Sequence, residues 1–218
     1  MKSPLTLVKA LLAVVGVAAL SAVSAAPASA FSFGNIAGGD TPGDAYQNSF
    51  TFDVVDQGLS VLFKITNSGN AAAPSMFISQ VLFDDNGYLS APLVNIYNVG
   101  EVAFSGGPSN AQLPQGGNNF NTRYAFSSNN GAGNAFGVQA QETVGVSFVA
   151  NYTNVLAALT DGTLKIGLHV QALQNGQSDS YISNTQDTPE PLTILAAGAA
   201  VGFGTMFKKQ RAQAKKAP

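Results

Sequence analysis

Alternating apolar and polar positions in the first half of the chain predict a β-hairpin. Two alternating stretches, Ser49–Val55 and Leu59–Thr66, are separated by the turn-forming residues Asp56-Gln57-Gly58. Because successive side chains of a strand point to opposite faces, every second residue shares a face. The face expected to enter the core carries Phe50, Phe52, Val54, Leu59, Val61, Phe63 and Ile65.

Three further stretches are also typical of strands. Met76–Phe83 is apolar on both faces, Val144–Ala150 alternates, and Thr163–Leu173 alternates most regularly. We expect Thr163–Leu173 to be the last strand and His169 to face the solvent. The core-facing side chains are predicted to be Val144, Val146, Phe148, Leu164, Ile166, Leu168 and Val170. Only 154–159 suggests helix, as a single turn, so the pattern favours an all-β fold.

The predicted architecture is a single β-sandwich, jelly-roll or immunoglobulin-like, spanning 31–187. Within it, 105–137 differs in composition, with seven glycines and seven asparagines in 33 residues. Such a segment has little apolar surface to offset its loss of chain entropy. We expect either a mobile surface loop or a loop facing a ligand or partner, with room for a strand at Thr122–Ser127.

The N-terminal 30 residues have the pattern of a secretory signal peptide. Lys2 and Lys9 make the N-terminal region positively charged, and Ala10–Leu20 is an uninterrupted apolar run. Ala28-Ser29-Ala30 is a small-residue cleavage pattern. We therefore predict export through the Sec machinery and cleavage after Ala30, so that the mature chain begins at Phe31.

The C-terminal segment 188–218 combines a proline motif, an apolar run and a basic cluster. Pro189-Glu190-Pro191 precedes the apolar residues 192–207, and cations concentrate in the last eleven residues, 208–218. An apolar run of sixteen residues rises about 24 Å as a helix, slightly less than a bilayer core. Lys208, Lys209 and Arg211 would hold its end in the cytoplasm, leaving the body outside.

This tail resembles the PEP-CTERM sorting signal of bacterial exosortase substrates, and its form looks most like cyanobacterial members. The resemblance implies processing near Pro189-Glu190-Pro191 by an exosortase, after a transient stay in the inner membrane. Delivery to the cell surface or extracellular matrix would follow, often in organisms that make exopolysaccharide. The body is also similar to other such proteins at Phe83-Asp84-Asp85 and 167–171, which implies an exported β-domain without assigned activity.

Composition and charge narrow the function further. Charged residues make up 10% of the chain, cysteine is absent, and 31–187 holds eleven acidic residues but only Lys64, Arg123 and Lys165 as cations. The absence of cysteine excludes disulfides, thiolate metal sites and cysteine nucleophiles. An acidic body with scattered cations lacks the electrostatic features of a nucleic-acid-binding protein.

Candidate chemistry is sparse. His169 is the single histidine, and no G-x-S-x-G nucleophile motif accompanies it. Glu101 and Glu142 are the carboxylates available for glycoside hydrolysis, which needs two. Asp84 and Asp85, in the Asp84-Asp85-Asn86-Gly87 stretch, are weak calcium candidates, because they lack EF-hand spacing and are more typical of a β-turn.

We therefore expect a surface or matrix protein with a structural or adhesive role, without enzymatic activity or cofactor. The alternative is a carbohydrate- or calcium-binding surface module, and a secreted carboxylate-based hydrolase is third.

Overall fold

The computed structural model describes residues 28–36, 41–129 and 136–185. These residues form ten antiparallel strands, a ten-residue helix and three short 3-10 helices, so the predicted all-β class is confirmed. The elements are β1 (Ala28–Asn35), β2 (Phe50–Asp56), β3 (Ser60–Asn67), β4 (Phe77–Asp85), β5 (Ser90–Val94), β6 (Phe104–Pro108), β7 (Thr122–Ser128), β8 (Glu142–Val149), α1 (Tyr152–Asp161), β9 (Leu164–Gln171) and β10 (Asp179–Ser183).

The ten strands form one nearly closed sheet, because β1 belongs to both of its halves. Ala28–Ser32 pairs with β2, whereas 33–35 pairs with β10. The first half has the order β5-β8-β3-β2-β1, and the second continues β1-β10-β9-β4-β7-β6. Jelly-roll and immunoglobulin-like sandwiches consist of two separate sheets. Here the two halves are continuous through β1.

The core lies between the two halves and is rich in aromatic rings. Phe83 of β4 contacts Phe63 of β3 and Phe148 of β8, with ring centroids 5.3 and 4.9 Å apart. Phe50 of β2 contacts Tyr181 of β10 at 4.9 Å. These tilted and edge-on contacts are favourable ring geometries, and they join the halves across the interior.

The predicted hairpin is β2 and β3, with Phe50, Phe52, Val54, Val61, Phe63 and Ile65 buried as expected. Leu59 is the exception, and the prediction that it enters the core is wrong. It precedes β3, where Gln57 N–H donates to Ser60 O, and its side chain is 89% exposed. The alternation of apolar residues extends back to Leu59, but the strand begins only at Ser60 because the turn includes Leu59.

Strand β9 buries Leu164, Ile166, Leu168 and Val170 completely, which confirms the predicted inward face. His169 lies on the opposite, outer face as expected, but it is half-buried rather than exposed. The expectation that β9 is the last strand is wrong, because β10 follows it. Pairing with β10 supplies the neighbours that cover His169.

Two local assignments also need correction. Asp84 and Asp85 belong to β4, paired with Lys165 and Leu164, so the turn begins at Asn86. The predicted single helical turn is the longer α1, since the Asn151 side chain accepts from Asn154 N and Gly162 ends the helix at φ 76°.

The segment 105–137 contains more strand than predicted. β7 agrees with the strand expected at Thr122–Ser127, but β6 was not predicted. Gly106 permits this pairing, because a Cβ there would collide with the backbone carbonyl of Ala125 and its φ is 152°. Residues 130–135 lie outside the described part of the chain.

Candidate functional site

A row of polar side chains crosses four strands on the outer face of the second half-sheet. Register aligns Ser127 of β7, Gln80 of β4, His169 of β9 and Ser180 of β10 as successive partners. Gln80 Nε2 donates to Ser127 Oγ at 3.2 Å, and His169 Nδ1 lies 3.3 Å from Ser180 Oγ. The row is therefore held by side-chain hydrogen bonds as well as by the sheet.

A β-bulge in β4 adds one more polar group to this row. The register of β4 against β9 shifts between Ile78 and Gln80, which leaves Ser79 as the extra residue. Its hydroxyl donates to the backbone carbonyl of His169 at 2.9 Å. Bulges change the direction of a strand and of its side chains. Here the bulge places Ser79 and Gln80 together beside His169.

Three members of this row, Ser127, Gln80 and His169, form the floor of an open groove of about 420 Å³. Phe77 and Pro114 contribute the apolar lining. The polar lining is Ser79, Gln80, Ser127, Ser128, His169 and Gln171. No lining residue carries a fixed charge.

The segment between β6 and β7 lies over the neighbouring part of the same sheet face and brings Pro114 to the groove. Leu113 and Phe120 are buried in a small cluster with Leu82. Gly167 makes room for them, since a Cβ there would approach Leu113 to 2.7 Å and Phe120 to 2.9 Å. A larger residue at position 167 would therefore have to displace these two buried side chains.

His169 is the central group of the row, and its surroundings favour the neutral imidazole. Burial lowers its pKa from the usual 6.5, and a hydrogen bond with the backbone of Asp179 acts in the opposite direction. Its hydroxyl neighbour, Ser180, is fully buried. A nucleophile needs access to its substrate, so this contact does not form an accessible Ser–His pair.

The two acidic calcium candidates already have protein partners. Asp84 lies 3.4 Å from Lys165 Nζ, and Asp85 lies 3.5 Å from an Arg123 nitrogen. Asp85 also accepts from the backbone N–H groups of Tyr88 and Leu89, at 2.7 and 3.2 Å. Across 28–36, 41–129 and 136–185, no group of three or more acidic or histidine side chains is arranged to hold a metal ion.

Of the two carboxylates considered for hydrolysis, that of Glu142 contacts the backbone of Glu101 and has a structural role. Its carboxylate accepts from Glu101 N at 3.1 Å and from Gln139 N at 2.9 Å. The first of these bonds joins the carboxylate to the backbone of Glu101 and does not use the Glu101 carboxylate.

The predicted signal-peptide cleavage site lies within the described sheet, whereas the predicted sorting motif lies outside the described residues. Ala28 and Ala30 lie in β1, paired with Val55 and Asp53. Pro189, Glu190, Pro191, Lys208, Lys209 and Arg211 lie outside the described residues. In the part of the chain that is described, no helix is long and apolar enough to cross a bilayer.

The groove is not predictable from any single stretch of the sequence. Its members come from β4, β7 and β9 and the segment before β7, and their juxtaposition depends on register. The only local signal was the alternation that separated His169 from the buried face of β9.

Comparison with known proteins adds little to this geometry. No family model matches the chain, and no curated protein matches it. A solved structure concerning pH-induced modulation of Streptococcus parasanguinis adhesion by Fap1 fimbriae is similar at 12% identity, covering 72% of this chain and 93% of that one. Its TM-score is 0.38, too low to support a functional argument.

Proposed function

We propose that this is an exported cell-surface or extracellular-matrix protein of the PEP-CTERM type, whose β-domain has a structural or adhesive role. The observation that carries the proposal is the tail: Pro189-Glu190-Pro191, an apolar run of sixteen residues and a basic end. With the signal-peptide pattern at the other end, this arrangement is typical of a chain that is exported and then processed at the membrane.

The direction in which the chain leaves the domain supports attachment of the domain to the membrane by one of its ends, here called a pole. β10 runs antiparallel to β1, with Ser183 opposite Phe33, and Asn184 N donates to Ser32 O at 3.1 Å. The chain therefore leaves β10 toward the pole at which β1 begins. A domain held there by its C-terminal tail presents its other pole outward.

The role proposed for the domain is non-catalytic. Ser180, the hydroxyl beside His169, is buried, and Glu142 is engaged by backbone N–H groups. These arrangements stabilise the fold, and they favour a structural or adhesive role over the carboxylate-based hydrolase.

Fractionation of the native host tests the proposal, with the ends of the mature protein determined by mass spectrometry. We expect a surface or matrix form that begins after the signal peptide and lacks Leu192–Phe207. If surface-exposed protein retains Leu192–Phe207, this segment is a permanent membrane anchor and not a sorting signal. Recovery only from the cytoplasm would contradict export itself.

A further inference from the structure

We propose that the groove over Ser127, Gln80 and His169 binds a segment of neutral polysaccharide. The proposal rests on the proposed function, an exported domain with an adhesive role, and it gives that role a ligand class and a site.

The lining chemistry matches uncharged hydroxyl groups. A glutamine amide, a serine hydroxyl and a neutral imidazole can each donate and accept, as sugar hydroxyls do. Gln80, Gln171, Ser128 and His169 place such groups along one groove. Anionic ligands would find no cation among the lining residues, and the cation four residues along β9, Lys165, is engaged by Asp84 and by Asn119 O.

The volume of the groove and the hydrogen bonds that fix its floor also suit a sugar chain. Its volume of about 420 Å³ lies within the range of small-molecule sites. Half-buried Pro114 supplies apolar surface against which the C–H face of a sugar ring can pack, whereas Phe77 is only 8% exposed and adds little. The hydrogen bonds Gln80–Ser127 and Ser79–His169 O hold the floor in place before binding. Such preorganisation reduces the entropy lost when a ligand binds.

An extended peptide fits this groove less well. Peptides that bind to sheets commonly add a strand to an open edge and use its unpaired backbone groups. The floor is formed by β4, β7 and β9, and β4 is paired on both sides, with β7 and with β9. A ligand here must be recognised by side chains, and these side chains offer hydroxyl and amide groups.

The test measures binding of the purified full chain to a panel of polysaccharides: dextran, mannan and β-glucan as neutral probes, with alginate and polygalacturonate as acidic ones. Gln171→Ala removes an exposed amide from the groove, and Gln177→Ala removes an exposed glutamine outside it. We expect at least one neutral probe to bind, Gln171→Ala to weaken its binding about three- to tenfold, and Gln177→Ala to leave it unchanged.

His169→Gln provides a second variant that keeps a hydrogen-bonding side chain, and we expect it to weaken binding of the same neutral probe. The proposal is overturned if no neutral probe binds, if acidic probes bind more tightly, or if the two glutamine variants behave alike. It is also overturned if the groove variants weaken binding of an extended peptide instead. Binding is measured with purified protein, so a failure here is distinct from a failure of export or processing, which fractionation detects.

Discussion

The side-chain amide of Asn95 makes two hydrogen bonds with the backbone of Phe104. Its Nδ2 donates to Phe104 O at 2.8 Å, and its Oδ1 accepts from Phe104 N at 3.0 Å. Asn95 directly follows β5 and Phe104 begins β6, which are the two outer strands in the sheet order. The Asn95 side chain thus connects the end of β5 to the start of β6 by hydrogen bonds, in place of strand pairing.

Asn95→Gly tests this connection, because glycine accepts the φ of 61° found at Asn95 while removing the amide. We expect a loss of about 1–3 kcal/mol in the free energy of unfolding, since two backbone groups of Phe104 lose their partner. Urea denaturation measures it. Asn48→Ala, at an exposed position, should change stability by less than about 0.5 kcal/mol. Wild-type stability in Asn95→Gly would contradict the closing role.

The half-buried His169 predicts a specific pH dependence of stability. Burial lowers the pKa of His169 in the folded protein below 6.5. As the pH falls through about 6.5, the unfolded chain therefore binds a proton before the folded one does. The free energy of unfolding should decrease from pH 7.5 to pH 5.5. Urea unfolding of His169→Gln at both pH values should show a smaller decrease, and an unchanged pH dependence would contradict the assignment.

The carboxylate of Asp85 is predicted to organise the turn after β4 rather than to bind calcium. Asp85→Asn should lower the free energy of unfolding by about 1–3 kcal/mol, because it weakens the interactions with Arg123 and with the N–H groups of Tyr88 and Leu89. Calorimetry of the wild-type chain with calcium should detect no tight binding. Micromolar binding that is lost in Asp85→Asn would show that the turn is a calcium site.

The predicted cleavage after Ala30 has a structural cost. It removes Ala28–Ala30 from β1, including Ser29, whose hydroxyl lies 3.1 Å from Tyr152 Oη. A chain beginning at Phe31 should therefore have a free energy of unfolding about 1–3 kcal/mol lower than one beginning at Pro27, and it should unfold at a lower temperature. Thermal unfolding of the two chains compares them directly. Equal stability would mean that these three residues do not contribute to the folded domain.

The sorting tail predicts different effects for two sets of residues. Glu190→Ala should leave membrane insertion intact but impair processing, so that full-length protein accumulates in the inner membrane. Asp187→Asn, a nearby acidic position outside the proline motif, is the matched control. Immunoblots of membrane and surface fractions measure both, and normal release of Glu190→Ala would contradict the role of the motif.

Neutral replacements of Lys208, Lys209 and Arg211 should instead disturb topology, because these cations hold the tail end in the cytoplasm. Protease accessibility of the tail in intact cells measures this. An unchanged orientation would mean that other features determine the topology.

Local sequence predicted five strands that are paired on both sides in the sheet. β2, β3, β8 and β9 were predicted because their apolar residues repeat every second position, and β4 because it is apolar on both faces. The processing signals at the two ends stay predictions of the sequence alone. The sequence also excludes cysteine chemistry, and its acidic body predicts that the domain does not bind nucleic acid.

Tertiary structure decided the rest, because the missing strands depend on their partners. β6 reads Phe-Ser-Gly-Gly-Pro and forms only beside β7. β10 contains the polar residues Asp179 and Ser180, which become buried only through the fold. Register then aligns Gln80, Ser127 and His169 across three strands, and a register is a relation between distant segments. No single stretch of the sequence contains that relation, which is why the groove appears only in the folded domain.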